Sequence, residues 1–279
     1  MFVWLASYPK SGNTLTRSLL AAYFFSEDGY FNFNLIKNIK QFPNIELFKK
    51  LGVDTKNEKE VIKNYIKAQE SVNKKKTIQF CKTHSYLFNI ENNPFTDLNN
   101  SLGAIYIVRD PRNVLLSAAH HNQKSHEKTM EDLINGHVIG KNDGAASIVY
   151  SGTWSGNFNS WKSFKSVNKY LLVKYEDLLE DKEKNFYEIL KFIHRLKKVD
   201  FVLDKKKFKN TLDSTDFKSM QKLESEKGFD ESVIDKKSGK KIKFFHLGEK
   251  TDWKNSLDIR IQKKIQTAFE KEMIELDYL

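Results

Sequence analysis

Three short stretches of this sequence carry side chains suited to holding and moving an anionic group. Ser7-Tyr-Pro-Lys-Ser-Gly-Asn-Thr14 follows an apolar run and precedes a segment with helical apolar spacing. A loop from strand to helix gathers backbone N–H groups and the positive end of the helix around one concavity, where anions bind. Lys10 adds a full positive charge, Gly12 sits in the turn, and Ser11, Asn13 and Thr14 add side-chain donors, so the loop suits a phosphate or sulfate ester. The pattern is not the nucleotide loop G-x-x-x-x-G-K-[ST], because the lysine precedes the glycine. Arg109 ends a second apolar run, and its forked guanidinium suits phosphate oxygens; its plainer use is pairing with a neighbouring acid. Cys81-Lys-Thr-His84 closes a third strand candidate, at the edge where ligands of open α/β sheets lie. An imidazole near neutrality can accept a hydroxyl proton while Lys82 steadies charge on a transferred group, although a single histidine is more often structural.

These stretches are positioned by alternating elements. Residues 2–7, 77–83, 103–109 and 170–175 read as strands, and Ala104-Ile-Tyr-Ile-Val108 has the unbroken apolar character of a strand covered on both faces. Residues 14–25, 112–121, 151–164, 183–196 and 257–276 read as helices. Asp110-Pro111 is a helix start, with aspartate capping N–H groups and proline suiting the first helical position. The alternation predicts an α/β chain, a single domain over 1–279 with a central parallel sheet flanked by helices. Residues 27–76 and 221–243 are less regular and are candidate lids or substrate-facing insertions.

Composition narrows the partners. With 279 residues, 39% hydrophobic and 30% charged, the chain has the makeup of an ordered globular protein. Its formal charge of +11 favours an anionic partner, but lysine runs such as 205–207 are usually solvated faces, so no nucleic-acid role is expected. A single cysteine, Cys81, allows no internal disulfide and fits a reducing compartment. The apolar start, Met1 to Ala6, is too short for a leader or membrane helix, so a cytoplasmic protein without membrane association is expected.

Tyr8-Pro-Lys-Ser-Gly-Asn-Thr14 resembles the 5′-phosphosulfate loop of sulfotransferases that use 3′-phosphoadenosine 5′-phosphosulfate (PAPS), and other segments similar to that family's follow in order. Ile105-Tyr-Ile-Val-Arg-Asp-Pro-Arg-Asn-Val-Leu-Leu-Ser117 is similar to its 3′-phosphate site, which implies that Arg109 and Ser117 hold that phosphate. Lys82-Thr-His84 resembles its Lys-x-His segment, Tyr170-Leu-Leu-Val-Lys-Tyr-Glu-Asp-Leu178 its Tyr-Glu-Asp segment, and Thr215-Asp-Phe-Lys-Ser-Met220 its adenine-binding segment. The resemblance implies Tyr175 near the adenine, Thr215 bonded to it and Phe217 stacked on it. His246-Leu-Gly-Glu-Lys-Thr-Asp-Trp-Lys-Asn255 is similar to the carboxy-terminal motif and keeps Gly248, but His246 and Leu247 replace its basic pair, and Thr251 its second glycine. Leu15 stands where many members carry a tryptophan beside the adenine. Trp154 and Trp161 are read as packing residues.

Membership would imply a P-loop nucleotide-hydrolase-like fold and in-line sulfuryl transfer from PAPS to a hydroxyl or amine. Adenosine 3′,5′-bisphosphate (PAP) would be the product, with no metal. His84 would be the base, Lys10 would stabilise the leaving oxygen, and Lys82 with the loop N–H groups would hold the sulfuryl oxygens. The acceptor would be a small molecule or a saccharide. Aromatics from Tyr23 to Phe33 suit either an acceptor pocket or the core. The alternatives are a P-loop kinase or NTPase with Asp110 as the magnesium carboxylate, and a non-catalytic basic binder with a degenerate site. A zinc site at His120, His121 and His126 is weaker still, with no cysteine nearby.

Overall fold

Phe2–Ser7 is apolar because it is covered on both faces: every residue of this strand is buried. The computed structural model describes residues 1–74, 77–140, 143–235, 238–246 and 252–279. Strands β1 (Phe2–Ser7), β2 (Lys40–Gln41), β3 (Gln79–Thr83), β4 (Ser101–Val108) and β5 (Tyr170–Lys174) form one five-stranded sheet in the order β2-β3-β1-β4-β5. All its pairings are parallel. The register sets Ala6 beside Thr83 and Ser7 beside Ile107, so the central strands end together at one edge.

Period-two alternation divides the core. Trp4, Ala6, Tyr106 and Val108 pack on one face with Phe42, Phe48, Tyr65, Phe95, Trp154 and Trp161. Val3, Leu5, Ile105 and Ile107 face the other side, against Leu19 and Leu20 of helix α1 (Asn13–Phe25) and Ile189 and Leu190 of helix Lys182–Lys197. Helix α2 (Pro111–Asn122) starts where expected, with the Asp110 carboxylate accepting from the Arg112 N–H at 2.9 Å.

The expected α/β architecture is therefore present, as are the four expected strands, while β2 adds an edge that two residues of sequence do not announce. Residues 151–164 are not one helix. Val149–Gly152 is a strand paired antiparallel with His137–Ile139, and the helix runs only over Trp154–Trp161, capped by Thr153. Gly152, at φ +65°, makes the switch between them. In the stretch 27–76, short helices place Phe48 and Tyr65 in the core, and among the described residues of the stretch Gln41, on β2, is the one that reaches the cleft described below. Tyr23 and Phe31 are core residues, as are Trp154 and Trp161. No helix among the described residues is long and apolar enough to cross a membrane.

Trp4 is the centre of the larger cluster, fully buried among Phe42, Phe95 and Trp161, with its indole N–H donating to Ser101 Oγ at 2.8 Å. Truncating it leaves a cavity and removes one of the two hydrogen bonds of Ser101 Oγ, which keeps its partner Thr96 Oγ1 at 2.8 Å. Trp4→Ala is expected to cost about 3–5 kcal/mol, read as a lowered urea midpoint at unchanged slope.

Candidate functional site

At the carboxyl edge of the sheet lies a cleft of about 760 Å³. Its floor is the loop from β1 to α1, where Lys10 (φ +67°) and Gly12 (φ +100°) both adopt left-handed backbone. Glycine is required at position 12 for two reasons. The conformation disfavours a side chain, and a Cβ would lie 2.2 Å from the Tyr175 ring. The phenol, at the start of helix Tyr175–Glu180, thus seals one side of the loop, and the Arg109 guanidinium sits 4.5 Å from its ring centroid. Arg109 also donates to the Lys10 carbonyl at 3.3 Å, tying β4 to the loop.

The second wall comes from β3. His84 Nδ1 is 3.0 Å from the Ser7 carbonyl oxygen and 3.1 Å from Ser7 Oγ. A carbonyl can only accept, so Nδ1 carries the hydrogen and Nε2 is the basic atom. Burial, then the Lys82 charge, brings the imidazole down to about 3, against the Ser7 hydrogen bond. It is therefore neutral at pH 7. Asn13 braces the same arrangement, its amide donating to the Leu5 carbonyl at 2.9 Å and to Ser7 Oγ at 3.1 Å. Both amide hydrogens are spent inward, so what Asn13 offers the cleft is the free N–H of a first helical turn.

Positive charge dominates the floor. Burial lowers the Lys10 ammonium, Glu231 pulls it back, and Arg109 and Lys82 lower it again, to about 8. Its Nζ lies 4.1 Å from the centroid of Phe244. Glu231 is an acid set among these cations: its carboxylate accepts from Lys82 Nζ at 3.3 Å, Arg17 Nη1 at 2.7 Å and Thr14 Oγ1 at 3.2 Å. Burial opposes that charge, but Lys82 and Arg17 outweigh it and hold the carboxyl at about 2.

The residues singled out in the sequence thus converge. Lys10, Gly12, Asn13, Thr14, Lys82, His84, Arg109, Ser117, Tyr175, Thr215 and Phe217 all line the cleft. Ser11 is fully buried beneath the loop, with no hydrogen-bond partner for its hydroxyl. Gly248 lies outside the described residues, as do Leu247, Lys250 and Thr251. His246 reaches the cleft and stacks on His120 at 4.2 Å. Leu15 lines the cleft, as do Tyr175 and Phe217. Among the described residues no three histidine, cysteine or acidic side chains could jointly hold a metal ion.

Sequence reasoning missed three contributors. Ser7 orients His84, a role signalled only by its place at the end of β1. The strand His137–Ile139 brings His137, Val138 and Ile139 to the mouth of the cleft, with Tyr8 Oη 3.3 Å from His137 Nδ1. Glu231 and Arg17 are the third, and their meeting joins residues too distant in the chain for any local pattern. Asp110, by contrast, is unavailable as a metal carboxylate: Arg112 Nη2 holds one oxygen at 2.7 Å, Nε bonds both, and Trp253 packs on the guanidinium at 3.7 Å.

The family model of the sulfotransferase domain matches residues 2–277. The chain is 21% identical over 188 residues to the amine sulfotransferase of Oryctolagus cuniculus, covering 63% of this chain and 56% of that protein. It spans well under two thirds of the length of that relative. Among solved structures, mouse sulfotransferase SULT7A1 complexed with PAP is similar at a TM-score of 0.61 and 20% identity, covering 98% of this chain and 84% of the other. Retinol dehydratase complexed with retinol and PAP gives 0.62 and 16%, over 98% and 81%. At these identities the structures speak for the fold.

His84 is expected to show Nδ1–H and a bare Nε2 in nitrogen-correlated NMR spectra, and to stay neutral well below pH 6. In the unfolded chain the ring protonates near 6.5 but in the folded chain only near 3. The unfolded state therefore binds more protons in between, and this residue's contribution makes stability fall as pH drops through that window. A His84 titration midpoint above pH 6 would contradict the geometry.

Proposed function

This chain belongs to the sulfotransferase domain family, and we propose that it transfers a sulfuryl group from PAPS to a small hydroxyl or amine acceptor. The observation that carries this reading is the fixed tautomer of His84, which turns a bare Nε2 toward a cleft floored by Lys10, Lys82 and the helix-opening loop.

The residues present fit the nucleotide. The loop N–H groups with Lys10 and Thr14 suit the 5′-phosphosulfate, and Arg109 with Ser117 the 3′-phosphate. Leu15, Tyr175, Thr215 and Phe217 line the side suited to the adenine. The Thr215 hydroxyl donates to the Thr211 carbonyl at 2.6 Å, which leaves its lone pairs to accept from the exocyclic amine. The buried Ser11 hydroxyl, without a partner, lies beneath the same loop.

PAPS supplies an activated S–O bond. His84 Nε2 takes the acceptor's proton as that oxygen or nitrogen forms its bond to sulfur. Lys10 meets the negative charge that grows on the bridging oxygen as the old S–O bond breaks, its electron pair departing with PAP. Lys82 and the loop N–H groups hold the sulfuryl oxygens in line. His137, Val138, Ile139 and Phe244 border the mouth through which the acceptor would enter. A kinase reading is not favoured, because the Asp110 carboxylate is consumed by Arg112 and the cap of α2.

His84→Ala is expected to bind PAP with near wild-type affinity in calorimetry while losing at least about a thousandfold in transfer from PAPS, assayed across phenols, alcohols, amines and saccharides. Near-normal turnover by the variant would remove His84 from its role. Turnover of ATP that stops with chelator would sink the whole reading.

A further inference from the structure

Arg17 has no place in the roles assigned above, yet it is a deeply buried cation behind the cleft lining, with its side chain 6% exposed and paired to Glu231, which borders the cleft. It lies one helical turn beyond Thr14 on α1, so the two side chains share a face. Its Nη1 reaches Glu231, and its Nε is buried with no hydrogen-bond partner among the described residues. Leaving a buried guanidinium N–H unpaired costs free energy, which an anion reaching it would recover.

The same Glu231 oxygen, Oε1, also accepts from Lys82, while Oε2 accepts from Thr14. Two of these three donors are those expected to serve the phosphosulfate. The conflict is direct. One Thr14 hydroxyl hydrogen cannot serve two oxygens, and a carboxylate beside an incoming dianion costs repulsion in a half-buried site.

We propose that Thr14, Arg17 and Lys82 form one oxyanion seat, that Arg17 binds the sulfuryl oxygens with Lys82, and that the Glu231 carboxylate fills this seat until PAPS displaces it. This rests on the sulfotransferase reading. Three ligating donors match the charge-assisted geometry a sulfonate would use, and the carboxylate is held at about 2, so it is a full anion whenever the protein is folded near neutrality.

Displacement needs little of the backbone. Phe229 is core, and Ser232 Oγ donates to the buried Glu224 carboxylate at 2.6 Å, which also accepts from the N–H groups of Phe244 and Phe245. Glu231 is thus suspended between two anchored points, and its side chain, which borders the cleft, can rotate out while they stay. The segment 221–243 then acts on the nucleotide through one carboxylate.

The test is calorimetry with PAP and PAPS, without acceptor, on the full chain. Wild type must bind PAP; if it does not, the sulfotransferase reading fails and this inference with it. Given that binding, Glu231→Gln and Glu231→Ala are expected to bind PAPS about five- to tenfold tighter, since an internal competitor is gone. Unchanged or weaker binding by both variants overturns the proposal and leaves the reading intact. In the Glu231→Gln background, Arg17→Gln is expected to weaken PAPS about tenfold and PAP less than about twofold, because PAP lacks the sulfuryl group. Equal losses for the two nucleotides would remove Arg17 from the sulfuryl oxygens. Arg17→Lys keeps the buried charge and gives the same comparison should Arg17→Gln not fold.

Discussion

Parallel pairing of β1 between β3 and β4 is the constraint on which the site depends. Parallel strands all end at the same edge, and the register brings Ser7 level with the residue after Thr83 on one side and with Ile107 on the other. Ser7 is thereby the anchor beside His84, and Arg109 follows Ile107 by two residues at the same edge. The Ser7 carbonyl, having reached the end of its ladder, is free to accept from the imidazole. A slip of one residue would turn Leu5 to the wrong face and carry that carbonyl away from the ring.

The second requirement is electrostatic. Lys10, Lys82 and Arg109 line the cleft with Arg17 buried behind them, and uncompensated they would repel one another and resist burial. The free chain compensates in three ways: Lys10 loses part of its hold on its proton, His84 gives up its proton altogether, and Glu231 contributes a negative charge. Around this floor the supports are rigid. Arg112 is clamped by Asp110, by the Tyr278 carbonyl at 2.6 Å and by the Trp253 ring, and Glu176 accepts from the Asp110 N–H and the Tyr278 hydroxyl. The intact Asp252-Trp253-Lys254-Asn255 segment thus buttresses the start of α2, along which Ser117 lies.

What the sequence disclosed follows from how local each feature is. The loop of residues 7–14, Arg109 with its helix start, and Lys82-Thr-His84 are contiguous segments at element boundaries, so residue type and spacing were enough to place them at one edge of the sheet. Val149–Gly152 was hidden because its strand is four residues long and is stabilised by a partner across a turn, which no periodicity in 151–164 could reveal. The Asn13 side chain was legible as a polar group in a loop but not in its direction, since its partners Leu5 and Ser7 are a matter of three-dimensional closure. Glu231 and Arg17 were illegible for the same reason on a larger scale. Each looks like an ordinary surface charge until the fold brings them together.

A base with a pKa of about 3 would be feeble, and the causes of that value explain how it could still serve. Burial is fixed by the fold, but the cationic contribution of Lys82 and Arg17 is offset only by the single charge of Glu231. An anion of higher charge seated among the same donors would cancel more of that field and favour the imidazolium. On the proposed reaction, the basicity of Nε2 would therefore be coupled to occupancy of the seat. An acceptor entering an empty cleft would meet an imidazole held neutral by its surroundings. The same acceptor entering after the nucleotide would meet a stronger base. Proton removal and sulfuryl transfer would thus be tied by electrostatics.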